Sequence, residues 1–337
     1  MKKILPLGKL SYPFLEKLTK KFQNHSDFRV ILGPKVGEDA AVIDYPDRYL
    51  VAKTDPITFA TAEIGWYAVQ VNANDIVTRA AIPKWFQATI LLPEKKTTQD
   101  LVEQIFTQIY DACNKLNITV IGGHTEISYK LDRPIVVGCM LGEVEKDKLV
   151  LSSGAREGDV ILLTKGIAIE GTAVIAREQA DELKKKGYRD DFIKKCQRYL
   201  YNPGLSVVND ALLASKIGVH AMHDPTEGGL SAGLFEIAKA SQVGLLIDNG
   251  KIPLLKESKI LCEEYQLDPL KTIASGALLL VVPPKNADKI RTLLNKHGIK
   301  SHLIGEIKPK KFGIKIIEDG ILRNLKYSAR DEISKVF

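Results

Sequence analysis

Short β-rich runs and helical periodicities alternate along almost the whole chain, and many of the connections between them are short. Val36 to Val42 and Tyr49 to Lys53 read as a loop leading to strand-like segments. Phe86 to Leu92 reads as a strand that Pro93 ends, and Ile118 to Ile121 and Pro134 to Leu141 read as two more. Between them, Leu101, Ile105, Ile109, Cys113 and Leu116 recur at helical spacing and predict an amphipathic helix over 98–116. Further helices are predicted over 14–23, 62–80, 170–180, 205–216, 229–240 and 286–297. Further strands are predicted over 160–163, 244–248, 277–282 and 302–307. Such interleaving with short connections suits mixed sheets, so the expected class is α+β rather than a doubly wound parallel sheet. A chain of 337 residues is long enough for two ordinary domains. The glycine-rich, charged stretch from Ser152 to Asp159 places their junction close by, giving 1–150 and 151–337.

Bulk properties remove several function classes. The basic and then apolar start is broken by Pro6, Gly8 and Lys9 before a signal-peptide core can form, and no apolar run reaches membrane-span length. The expected location is the cytoplasm, with no membrane partner. Cys113, Cys139, Cys196 and Cys262 are scattered without a CxxC pair, so buried free thiols are expected rather than a cysteine metal site. The formal charge is +7, but its lysine runs, 184–186 and 308–311, read as solvated surface. Without a basic face interleaved with aromatics, no nucleic-acid partner is expected. The positive balance suits an anionic small substrate such as a nucleotide.

No P-loop, GxGxxG or HExxH is present, so a nucleotide must be held in another way. Five segments carry chemistry. Gly37-Glu38-Asp39-Ala40-Ala41 joins small residues, which allow close phosphate approach, to carboxylates, which can hold Mg²⁺; by itself it is also an ordinary acidic turn. Thr54-Asp55-Pro56 sets an aspartate at a strand end, where it can serve a site or cap the next segment. Asn72, Asn74 and Asp75 interrupt an otherwise small, apolar helix, although such side chains compete for backbone hydrogen bonds. They form either a satisfied buried network or a metal–phosphate site.

In Gly122-Gly123-His124-Thr125-Glu126, the glycines read as a turn after a strand that lets a ligand come close. His124 and Glu126 could move a proton or orient a phosphate. His223-Asp224-Pro225-Thr226-Glu227-Gly228-Gly229-Leu230 leads into a helix whose N-terminus can face an anion, with Asp224 or Thr226 as a simple cap otherwise.

These segments, with Ser275-Gly276-Ala277-Leu278-Leu279, resemble in order the serial motifs of the aminoimidazole-ribonucleotide (AIR) synthase superfamily, from about residue 8 to about residue 325. The Asp-Pro-Thr-x-Gly-Gly-Leu segment looks most like the HypE-like branch. The resemblance implies a two-domain PurM-like fold: an N-terminal α/β domain forming a dimeric, barrel-like core, and a C-terminal α+β domain closing over ATP. It implies that Asp39, Asp55 and Asp75 hold Mg²⁺. It implies that Gly122 and Gly123 contact the nucleotide and that Asp224, Gly228 and Gly229 face its phosphates. Gly37, Asn74, Thr125 and Thr226 belong to the same motifs and join the nucleotide-binding candidates. His124, Glu126 and Asp224 are the candidate catalytic residues.

The implied activity is ATP-dependent phosphorylation of an oxygen on a small or protein-borne acceptor, by a homodimer. Two departures are expected to matter. HypE carries Gly-Asp-Thr-Lys where this chain has Gly123-His124-Thr125-Glu126, which exchanges a cation for an anion. HypE also ends in a cysteine-bearing tail, whereas Glu332 to Phe337 holds no cysteine. A hydrogenase-maturation factor with a partner protein and a non-catalytic nucleotide-binding scaffold are the alternatives.

Overall fold

A computed structural model describes residues 12–20, 27–35, 37–58, 60–327 and 330–337. Residues 21–23 of the first expected helix, Val36 and the basic start lie outside the described residues. The first half runs α1 (Tyr12–Thr19), β1 (Val30–Leu32), β2 (Ala41–Asp44), β3 (Arg48–Ile57), α2 (Ile64–Val77), β4 (Ile82–Pro93), α3 (Gln99–Lys115), β5 (Thr119–Ser128) and β6 (Ile135–Glu145). The second half runs β7 (Val160–Thr164), α4 (Ile169–Glu178), α5 (Ala180–Lys185), α6 (Asp190–Gln197), α7 (Val208–Ser215) and β8 (Ala221–His223). It continues with α8 (Gly229–Ser241), β9 (Gly244–Asp248), α9 (Lys256–Glu264), β10 (Leu279–Val282), α10 (Pro284–Lys296), β11 (Ser301–Lys308), β12 (Ile314–Glu318) and β13 (Ile321–Asn324).

The first sheet has the order β1-β2-β3-β6-β4-β5, and the second β13-β12-β9-β11-β7-β10-β8. Both are mixed: β4–β5 and β12–β9 are parallel, and the other pairs are antiparallel. The α+β expectation therefore matches the fold. No helix among the described residues is long and apolar enough to cross a membrane.

α2 positions the site. All fourteen of its residues are buried, which follows from apolar residues on every face. One side lies against the first sheet, where β6 alternates half-buried and buried positions. The approach is close because β6 offers glycines: a Cβ on Gly138 would meet Asn72, and one on Gly142 would meet Ile76. The other side reaches the second half. Asn74 Nδ2 donates to the Leu205 carbonyl at 2.8 Å, and its Oδ1 accepts from the Val207 amide at 2.9 Å. α3 buries Ile105, Ile109 and Cys113, the stripe its spacing predicts. Cys113, Cys196 and Cys262 are buried and Cys139 half-buried, all four unpaired.

One local reading is corrected. Gly122 and Gly123 do not form a turn after a short strand; they sit inside β5, which runs on to Ser128. β5 bulges there, with Phe86 opposite Val120 but Gln87 opposite Gly122. A side chain at position 123 would collide with the Ala88 carbonyl at 2.2 Å, so close strand approach explains this glycine.

Candidate active site

Three carboxylates converge where the two halves meet. Asp39 comes from the loop before β2, Asp75 from α2 and Asp224 from the loop after β8; each offers an oxygen within 4.8 Å of the others. Burial alone makes such a cluster costly, so the surrounding charges decide whether it can exist. Arg79, fully buried just beyond α2, donates to Asp39 Oδ2 at 2.8 Å and to Ser152 Oγ at 2.6 Å, and pairs with Glu38. Glu38 in turn accepts from the Ser152 and Ser153 amides at 3.1 and 3.2 Å. His223 bridges Asp39 Oδ2 at 3.0 Å and Glu236 Oε2 at 2.6 Å. Lys53 on β3 reaches Asp75 Oδ2 at 2.9 Å and Asp55 Oδ2 at 3.5 Å.

This wiring splits the three aspartates electrostatically. Burial pushes the Asp39 carboxyl up, but His223, Arg79 and Lys53 outweigh it and hold the group below the ordinary range. Burial, with Asp39 and Asp55 adding to it against the pull of Lys53, raises Asp75 to about 6. Asp224 is pushed well above its ordinary value by burial and by Asp75 and Asp39. Neither carboxylate oxygen of Asp224 has a hydrogen-bond partner. The orphan oxygens of Asp224 beside the two other acids form a donor set that could hold a cation, and an all-oxygen set suits a hard one such as Mg²⁺.

Asp55 also belongs to a small neighbouring cleft of about 80 Å³, lined by Thr226, Glu227, Glu170 and Ser275 and walled by Ile57, Val71, Val174, Ile273 and Ile333. Its contributors come from β3, α2, α4 and the loops before α8 and β10, so it lies between the halves.

The structure thus brings together Asp39, Asp75 and Asp224, with Asp55 linked to them through Lys53 and Thr226 on the cleft wall. Other candidates sit differently. Gly37, at φ 87°, packs on α8, where a Cβ would meet the Glu236 carbonyl at 3.0 Å. Asn74 spends its amide on residues 205 and 207. The Gly228 amide donates to Asp331 Oδ2 at 2.6 Å and the Gly229 amide to the Thr226 carbonyl at 3.0 Å, so both are satisfied within the protein. Gly122, Gly123, His124, Thr125 and Glu126 lie exposed along β5, where His124 and Glu126 pair at 3.5 Å and Glu126 also accepts from Ser128 Oγ at 3.4 Å. Sequence reasoning missed Lys53, Arg79, Ser152, Glu170 and Glu236. Glu170 had a signal: it is a lone charge inside the apolar run Ile167 to Ile175.

The N-terminal domain of AIR synthase related protein matches residues 37–144, and its C-terminal domain matches residues 156–317. Carbamoyl dehydratase HypE of Rhizobium leguminosarum bv. viciae is 29% identical over 282 residues, 81% of this chain and 77% of that protein. Thiamine-monophosphate kinase of Buchnera aphidicola is 26% identical over 329 residues, 92% of this chain and 95% of that one.

Among solved structures, a HypE–HypF complex shares the fold with TM-score 0.75 at 22% identity, covering 94% of this chain and 99% of that one. AaThiL complexed with AMPPCP and TMP gives 0.73 at 20%, covering 95% of each. HypE in complex with ATP gives 0.72 at 22%, covering 89% and 92%. The two domain matches together span most of the chain, in order and on the two sheets described above, and the chain belongs to the AIR synthase-related family of enzymes, with its two-domain PurM-like fold.

Proposed function

We propose that this protein is an ATP-dependent enzyme that phosphorylates, and so activates, an oxygen of a small or protein-borne acceptor in the cleft between its halves. The observation that carries the reading is the convergence of Asp39, Asp75 and Asp224, with both Asp224 oxygens unpartnered, beside an apolar-walled cleft. Family members captured with ATP and with AMPPCP support it. Asp39, Asp75 and Asp224 would hold Mg²⁺, which when bound supplies neutralising charge for nucleotide phosphates. Arg79 and His223 fix the Asp39 carboxylate. Lys53 orients Asp75 and Asp55, and the apolar wall limits water around the acceptor. We place the division between the domains near residue 150.

Calorimetry with Mg²⁺ and ATP tests the reading: saturable binding to the wild type, lost in Asp75→Asn, is the expected result. No binding by the wild type would end it.

We also propose a homodimer built through β5. This edge strand exposes Val120, Ile121 and Ile127, and an unpaired apolar edge invites a second strand. Pairing there would carry His124, Thr125 and Glu126 into a subunit interface. Sedimentation of Ile121→Lys as a monomer, against a dimeric wild type, is the expected outcome; a monomeric wild type would refute the dimer.

A second reading, a hydrogenase-maturation role with a partner protein, is favoured by the carbamoyl dehydratase HypE relatives and by the HypE–HypF complex. A pull-down from a hydrogenase-bearing host that recovers no maturation protein would argue against it.

A further inference from the structure

The cleft beside the acid cluster has a one-sided lining. Its charged side chains are Asp55, Glu170 and Glu227, and among the described residues no lysine or arginine lines it. Glu170, the second residue of α4, is 7% exposed, and its Oε2 has no hydrogen-bond partner. Burial pushes the Glu170 carboxyl up to about 7, with Asp331, Glu227 and Asp55 adding to it against an opposing pull from Ser275. A buried acid with an orphan oxygen costs stability unless something pairs with it. Nothing in the metal cluster does so, because that cluster is Asp39, Asp75 and Asp224.

We infer that Glu170 is the specificity-determining residue for the acceptor, and that this acceptor is a small molecule carrying a protonated amine next to an apolar body. Its ammonium would donate to Glu170 Oε2, with Asp55 and Glu227 adding attraction. Its carbon skeleton would lie on Ile57, Val71, Val174 and Ile273. The same lining disfavours an anionic head group, since a carboxylate or phosphate there would face the buried Glu170 with no lysine or arginine among the lining residues.

The inference rests on this cleft being the acceptor side of the proposed site, and the test separates the two. Four probes share a hydroxyl and a three-carbon body: 3-amino-1-propanol, 1,3-propanediol, 3-hydroxypropionamide and 3-hydroxypropionate. Ligand-observed NMR on the wild-type chain, with and without Mg²⁺ and AMPPCP, ranks their binding without any variant. The amine is expected to bind roughly tenfold more tightly than the other three, the scale of one hydrogen bond to a charged group. Glu170→Gln is expected to lose that preference while keeping wild-type Mn²⁺ affinity.

Equal or tighter binding of the diol, amide or carboxylate, or no binding of any probe, overturns the inference. So does a loss of Mn²⁺ affinity in Glu170→Gln, which would make Glu170 a metal ligand. Failure of the wild type to bind Mg²⁺ and ATP would instead remove the nucleotide reading, leaving the probe ranking to decide the cleft.

Discussion

α2 and β5 carry equally conspicuous polar segments, yet the fold treats them in opposite ways. Asn72, Asn74 and Asp75 lie on a helix buried from end to end, between a sheet and the second half of the chain. His124, Thr125 and Glu126 lie on an edge strand exposed at every position from Thr119 to Ile127. The comparison teaches that a polar motif acquires electrostatic consequence only where water is excluded. Lys53 and Arg79 matter because they answer buried charge, whereas the pair of His124 and Glu126 is solvated and worth little in a single chain.

The largest effect should come from breaking the buried side of that contrast. Arg79→Ala would strand Glu38 and Asp39, and should cost about 3–5 kcal/mol, the usual price of orphaning a buried charge. Urea denaturation of the purified variant measures it, and a change below about 1 kcal/mol would show that water reaches the network. Next, Glu170 makes stability depend on pH. Its carboxyl is raised from 4.5 to about 7, so the unfolded chain releases this proton first as pH rises.

Stability should therefore fall across that window, by up to about 3 kcal/mol, and level off above it. Comparing the denaturation midpoints of wild type and Glu170→Gln from pH 4 upward isolates this contribution, which the amide should abolish. On the strand, Gly123→Ala would press a methyl group on the Ala88 carbonyl and should cost about 1–3 kcal/mol. Gly122→Ala has nothing within 4 Å and should cost less, leaving only backbone strain at φ 149°. The smallest effect belongs to the exposed pair. His124→Ala and Glu126→Ala should each shift stability by under about 0.5 kcal/mol under conditions that keep the chain monomeric. A larger shift seen only at high protein concentration would place them in a subunit interface.

Much of the fold was legible because periodicity reports on burial face by face. The stripe of Ile105, Ile109 and Cys113 is buried where it was expected, and the sheets are mixed as the short connections implied. Short or peripheral elements escaped notice. α6 and α9 are short and mostly polar, and β12 and β13 form a peripheral hairpin on the sheet edge. In the site, the motifs pointed to the right neighbourhood but could not give its membership. Asp224 joins Asp39 and Asp75 because β8 ends beside α2's far face, while Asp55 stands one residue-pair away across Lys53.

By itself, the amino-acid sequence determined the class of fold, the order of the motifs and the supply of carboxylates, because these are properties of local pattern and composition. Only the tertiary structure decided which carboxylates share a volume, which glycines relieve collisions rather than receive a ligand, and which charge each acid faces. The reason is that Coulomb interaction and desolvation depend on distance and burial. In a chain whose halves meet around α2, those are set by packing between residues more than a hundred positions apart.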